Sequence, residues 1–259
     1  YHERYFEPFL RNFPGKKLIV SESTSALMTR GYYEMPSDHI YIRPESWDKP
    51  FEAPEHVCSS YDNCHVPWGS THEKTWHLVK TLPHVSGLFV WTGFDYLGEP
   101  TPYWWPSRSS FFGIVDLAGF PKDIYYMYKS EWTNEPVLHI FPHWNWKEGE
   151  PVDIWAYYNN ADEVELYLNG KSLGVRQKTD STYHVSWRVP FTPGTLKAVS
   201  RLGGKEVLVK EIHTAGEPAR LVLTPDRSVI QADGSDLSFV TIDAVSYTHL
   251  RAHETDSYL

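Results

Sequence analysis

One acid stands out for its setting. In Lys16-Lys-Leu-Ile-Val-Ser-Glu-Ser-Thr-Ser-Ala26 an apolar run, Leu18 to Val20, ends abruptly in Glu22 among small hydroxylated residues. A strand buried on both faces of a parallel sheet reads as such a short apolar run. A carboxylate at the C-terminal end of that strand is where barrel enzymes place their chemistry. The alternative is a solvated acid, or one that caps the next helix. Other chemistry-bearing residues are less convergent. Cys58 and Cys64 lie close together with His56 and His65; they read as two unpaired thiols, the alternatives being a disulfide or a metal set, for which the ligand pattern is too loose. His139, His143, Trp144 and Trp146 read as packing residues, since nothing arranges them as ligands.

The elements that must position Glu22 follow from periodicity. Tyr5, Phe6, Phe9, Leu10 and Phe13 have the spacing of an amphipathic helix that Pro14-Gly15 stops. Leu18 to Glu22 is a buried strand. Residues 23–69 are rich in Pro, Asp, Ser and aromatics, an ordered loop packed over something. Ser70-Thr-His-Glu73 is a capping-box pattern with Ser70 as N-cap, opening a helix that ends at Pro83. Gly87 to Trp91 is a second apolar strand, running on into Thr92-Gly-Phe-Asp-Tyr96. Another irregular stretch, 97–120, precedes a helix over 122–132. Long loops follow only the strands. That is the layout of a (β/α) barrel, about a quarter of one.

After Trp132 the pattern changes to short runs with period-two alternation: 152–158, 164–168, 183–189, 195–200 and 206–212. Asn169-Gly170 and Gly203-Gly204 are two-residue hairpin signals. These predict a β-sandwich over 134–216. Residues 214–218 are a linker, and 217–245 begin another sandwich. Residues 246–259 lack strand alternation and resemble translated adapter sequence, so this tail is set aside as non-native. The fold class is multidomain, α/β followed by all-β.

The chain has 259 residues, a net charge of −9, 41% hydrophobic residues and 15% aromatic residues, among them 11 Trp and 17 Tyr. The aromatic share suits stacking on flat apolar ligand faces such as sugars. The negative charge argues against nucleic acid. No run approaches the roughly 20 apolar residues of a membrane span. Tyr1 is not a start residue, and the chain reads as part of a longer protein.

Three sets of residues together resemble glycoside hydrolase family 2, in particular its bacterial β-galactosidases. They are Leu18-Ile-Val-Ser-Glu-Ser23; Gly87-Leu-Phe-Val-Trp-Thr-Gly-Phe-Asp-Tyr-Leu-Gly-Glu-Pro100 with Phe112-Gly-Ile-Val-Asp-Leu-Ala-Gly-Phe-Pro-Lys-Asp123; and His139-Ile-Phe-Pro-His-Trp-Asn-Trp146 with Val164-Glu-Leu-Tyr-Leu-Asn-Gly-Lys-Ser-Leu-Gly174 and Pro193-Gly-Thr-Leu-Lys-Ala198. The resemblance runs over about 1–245. It implies the C-terminal part of a (β/α)8 TIM barrel over 1–133, then an immunoglobulin-like β-sandwich and a truncated second one.

The implied activity is hydrolysis of terminal non-reducing β-D-galactosyl residues by a retaining double displacement. Such enzymes use two carboxyl groups about 5–5.5 Å apart, one attacking the anomeric carbon and one protonating the leaving oxygen. The resemblance makes Glu22 the nucleophile, with Ser21 and Ser23 as neighbours able to hydrogen-bond it. It makes Trp91 an aromatic wall of the sugar subsite and Trp91–Thr92 a candidate non-proline cis peptide. Asp95 and Tyr96 are expected to bind sugar hydroxyls or to hold the loop. Tyr103-Trp104-Trp105 either line the pocket mouth or pack the loop. Asn134-Glu135 lies on the wrong side of Glu22 for the family's acid/base, which is expected upstream, leaving this stretch inactive alone. The expected partner is an oligosaccharide or polysaccharide; no cofactor or metal is implied. Relatives are often exported, which favours a periplasmic or extracellular location. The rivals are a β-glucuronidase or β-mannosidase on the same scaffold, and a non-catalytic carbohydrate-binding module.

Overall fold

The computed structural model describes residues 3–46, 48, 51–53 and 55–246. A 3-10 turn, Glu3–Tyr5, leads into α1 (Phe6–Asn12); then come β1 (Leu18–Thr24), β2 (Tyr41–Ile42), β3 (Cys64–His65), α2 (His72–Thr81), β4 (Val85–Trp91) and α3 (Asp123–Trp132). Strands only follow: β5 (Leu138–Phe141), β6 (Pro151–Tyr158), β7 (Glu163–Leu168), β8 (Lys171–Arg176), β9 (His184–Pro190), β10 (Thr195–Leu202), β11 (Lys205–His213), β12 (Arg220–Pro225) and β13 (Val240–Val245). The chain is mostly β-sheet.

β1 and β4 pair in parallel through the crossover that carries α2. One face of the pair is packed: Val20 and Val85 meet Phe6 of α1 and Val79 of α2 in a small core. The other face is open, with Ile19 61% and Phe89 67% exposed. Parallel strands are ordinarily covered on both faces; here, among the described residues, one apolar face stays open.

α2 starts one residue later than its sequence pattern predicts. Its N-cap is Thr71, whose side chain accepts from the Lys74 backbone N–H at 3.4 Å. The His72 and Glu73 amides donate to the Asp62 carboxylate at 2.8 and 2.7 Å. A carboxylate suits the positive end of a helix, and this one arrives from the loop between β2 and β3. Ser70 Oγ is buried without a partner among the described residues. Freed from capping, Glu73 reaches β9, where His184 Nδ1 lies 2.6 Å from its carboxylate.

The strands β11-β10-β7-β8 form one antiparallel sheet and β5-β6-β9 another. Their inner faces share one core, in which Ile140, Val152, Ile154, Val164, Leu166, Trp187, Leu196 and Ala198 are buried. β6 is buried on its outer face too. There Trp155 and Tyr157 join Phe141, Tyr61, Tyr33 and the α3 residues Ile124, Met127 and Tyr128. Burying each large apolar side chain is worth about 1.5–3 kcal/mol, so this second core fastens the sheets to α3 and to the loop after β1. Tyr61 also donates to Asp153 O at 2.5 Å, and Trp155 Nε1 to Ser37 Oγ at 2.9 Å.

β12 and β13 pair antiparallel, with Leu221, Leu223, Phe239 and Ile242 largely exposed. Of the tail expected to be non-native, Ser246 is buried, and the remainder lies outside the described residues. Among the described residues, no helix is long and apolar enough to cross a membrane.

Candidate active site

Glu22 sits on an irregularity of β1. Register runs Val20↔Leu88 and then Ser23↔Val90, so Ser21 and Glu22 together face the single residue Phe89. A bulge of this kind re-aims a side chain and is common beside active sites. It sets Glu22 on the exposed side of the strand, away from the packed core. The backbone after it is left-handed at two non-glycine residues, with φ +67° at Thr24 and +50° at Ser25. A β-branched residue there is an outlier, and such outliers gather at functional sites. Both residues are buried, and Ser70 N donates to Thr24 O at 2.8 Å. Gly69 makes the approach possible, since a Cβ there would fall 2.6 Å from Thr24 O. Ser23 Oγ is buried without a partner among the described residues. It therefore does not supply the hydrogen bond to Glu22 that adjacency in sequence suggests.

Trp91 pairs with Thr24 at the same end of the sheet, partly buried against the core of Leu27, Cys58, Cys64 and Phe112. The Trp91–Thr92 peptide is cis. Beyond it the chain is clamped to residues 112–115: Thr92 N donates to Phe112 O at 3.1 Å, Ile114 N to Thr92 O at 3.0 Å and Asp95 N to Val115 O at 2.9 Å. Gly113 is required at this crossing, where a Cβ would lie 2.1 Å from Asp95 N. Tyr96 returns its ring to Trp91, edge to face at 5.9 Å, and its phenol donates to Glu99. Burial and that carboxylate raise the phenol well above its ordinary value, so it stays a neutral hydroxyl.

Asp95 is turned inward. Its Oδ2 lies 2.6 Å from Lys122 Nζ, the two side chains 8% and 1% exposed, and its Oδ1 accepts from Gly113 N at 2.7 Å. Lys122 also donates to Met28 O at 2.7 Å. Burial pushes the Asp95 carboxyl up, against the pull of Lys122. With one oxygen on Lys122 and the other on Gly113, Asp95 takes up the loop-holding role, one of the two expected for it. Nothing in the sequence marks Lys122 as its partner 27 positions away.

The remaining candidates fall into structural roles. Cys58 and Cys64 are free and buried. His56 Nδ1 meets Ser107 Oγ at 2.8 Å and His65 Nδ1 meets Val66 O at 2.7 Å. Among the described residues no group of three or more His, Cys, Asp or Glu is arranged for a metal ion. Glu135 pairs with Lys129 at 2.7 Å, which holds its carboxyl below the ordinary range, the wrong direction for a general acid. His139 meets Asp123 at 2.7 Å and stacks on Tyr126, while His143 stacks on Trp146.

A family profile described as a domain of unknown function (DUF4982) matches residues 149–208. The chain is 60% identical over 245 residues to the β-galactosidase BoGH2A of Bacteroides ovatus, covering 95% of this chain and 29% of that protein. It is 32% identical over 249 residues to a β-glucuronidase of Formosa agariphila, covering 92% of this chain and 24% of that one. Among solved structures, a β-glycosidase from Bacteroides vulgatus matches with a TM-score of 0.82 at 31% identity, over 95% of this chain and 33% of that chain. A glycosyl hydrolase family 2 member from Bacteroides cellulosilyticus matches with a TM-score of 0.65 at 28% identity, over 96% of this chain and 29% of that chain. The chain thus spans about a third or less of each of these proteins. On these likenesses, together with the motifs around Glu22 and Trp91, the chain belongs to glycoside hydrolase family 2.

Proposed function

We propose that this chain carries part of the catalytic machinery of a retaining exo-β-galactosidase acting on terminal β-D-galactosyl residues of glycans, with Glu22 as nucleophile. The observation that carries the reading is the bulge that presents Glu22 near the C-terminal end of a parallel strand, opposite Phe89 and two residues before the position that pairs with Trp91. In a double displacement, the Glu22 carboxylate attacks the anomeric carbon while a second carboxylic acid protonates the leaving oxygen. That second group then takes a proton from the water that hydrolyses the covalent intermediate. It belongs to a part of the protein outside this chain, so the chain alone is inactive. Trp91 lines the sugar subsite with its ring, and Tyr96 contributes a neutral hydroxyl at its rim.

The accompanying architecture is a (β/α)8 barrel whose last part is 1–133, an immunoglobulin-like sandwich over 134–216 and the start of another over 217–245. The parallel pair with one uncovered apolar face supports the first, and two sheets around one core support the second. A β-glucuronidase is the second reading, favoured by the similarity to the Formosa agariphila enzyme. Kinetics of the whole protein on nitrophenyl β-galactoside, β-glucuronide and β-mannoside decide between them. The galactoside is expected to have the highest kcat/KM by at least about tenfold; a preference for the glucuronide or mannoside overturns the sugar assignment.

A further inference from the structure

The segment after Tyr96 is an anchored loop. Leu97 and Ser109 bridge antiparallel, Gly98 N donates to Arg108 O at 2.7 Å and Ser110 N to Tyr96 O at 2.8 Å. Both ends are thereby pinned beside Tyr96. The middle is pinned by Tyr103, 3% exposed. Its ring packs on Phe51, His56 and Phe111 with centroids 5.4, 4.8 and 5.5 Å away, and its phenol donates to Val57 O at 2.5 Å. His56 adds the bond to Ser107.

The next two residues do the opposite. Trp104 and Trp105 are 69% and 74% exposed, although Ser107 N closes a turn onto Trp104 O at 2.9 Å. The Arg108 guanidinium lies 4.5 Å from the Trp105 ring centroid and orders it from one side. Of the two roles expected for this cluster, packing within the described residues fits Tyr103, and the two tryptophans take no part in it.

We propose that Trp104 and Trp105 form a stacking platform for the sugar rings beyond the scissile bond, so that the enzyme acts on oligosaccharide chains and not on small galactosides alone. The inference rests on the reading of Glu22 and Trp91 as the site of the cleaved sugar. Its occupant follows from continuity: the loop is rooted at Tyr96, whose ring meets Trp91 edge to face. A ligand seated at Trp91 and extending past the cleaved sugar has this loop as its neighbour through Tyr96. Tryptophan offers a flat apolar face with a polar N–H at its edge, a match for the C–H faces and hydroxyl rims of successive sugars. Two adjacent tryptophans suit a chain of rings.

The test compares two substrates of the whole enzyme carrying Trp104→Ala or Trp105→Ala. One is the glycosyl fluoride of the accepted sugar, whose leaving group has no ring; the other is an oligosaccharide of several sugars ending in it. On the oligosaccharide, kcat/KM is expected to fall about tenfold, mainly through KM, while on the fluoride it stays within about twofold. An equal loss on both substrates, as a loop that merely packs under other parts of the protein would give, overturns the platform. So does an unchanged oligosaccharide KM. A wild-type enzyme that hydrolyses neither substrate refutes instead the reading of the site itself.

Discussion

At the scale of single residues, the ion pair of Asp95 and Lys122 does the most to hold the site. Neither charge meets bulk water. Such a pair is costly to form, yet breaking it is costlier, since one partner is left charged and buried. Asp95→Asn in the whole enzyme is therefore expected to destabilise by about 3–5 kcal/mol, as measured by denaturant unfolding. Asp95→Asn combined with Lys122→Met should recover much of that loss, since no buried charge remains. If Asp95 touched sugar and did not hold the loop, Asp95→Asn would leave stability unchanged and act on KM alone. The left-handed backbone at Thr24 and Ser25 belongs to the same scale. Two such residues, two and three positions after Glu22, with Ser70 N bonded to Thr24 O, fix the direction in which the chain leaves the strand.

At the scale of elements, α2 shows where local pattern gives way to a distant group. The Ser70–Glu73 pattern foretells a helix start, but Asp62, from the loop between β2 and β3, satisfies the first amides. Thr71 takes the capping position and Glu73 is released to β9. Thr71→Ala is thus expected to cost about 1 kcal/mol, whereas Ser70→Ala, which removes a buried hydroxyl without a partner among the described residues, should cost nothing or stabilise slightly. The reverse order in thermal unfolding would restore Ser70 as the cap.

The other elements were legible wherever periodicity was strong. Leu18 to Val20 and Gly87 to Trp91 announced the parallel pair. Asn169-Gly170, with φ +51° and +80°, announced the β7–β8 turn. β8 itself escaped, because Lys171–Arg176 is a mostly exposed edge with Gly174 inside it. β5 escaped because only four residues precede the Phe141–Pro142 bond. The bulge at Ser21–Glu22 had no signal at all, since it exists only relative to the register of β4. The places of Glu22 and Trp91 near the C-terminal ends of β1 and β4 could be read from the apolar runs before them. The inward turn of Asp95 could not, because its cause is a lysine that reaches it from the start of α3.

At the scale of the whole molecule, the described residues are a tightly joined pair of layers with open borders. The sheets β5-β6-β9 and β11-β10-β7-β8 close around their own core and are fastened to α3. Ile19 and Phe89 on one side, and Leu221, Leu223 and Phe239 on the other, remain in solvent. Apolar patches of this kind mark surfaces meant for contact, in keeping with a chain that spans 29% of BoGH2A. The proposed division of labour follows: this chain brings the nucleophile, the aromatic wall and the loop beyond it, and the rest of the protein brings the acid/base. That claim turns on whether Glu22 becomes covalently bonded to the sugar. An electronegative fluorine at C2 slows both steps of a retaining glycosidase by destabilising its oxocarbenium-like transition states, so a 2-deoxy-2-fluoro galactoside with a good leaving group traps the intermediate. Mass spectrometry of the treated whole enzyme is predicted to find the fluorosugar on the peptide bearing Glu22, and to find none in Glu22→Gln; an adduct on a different carboxylate would contradict the assignment.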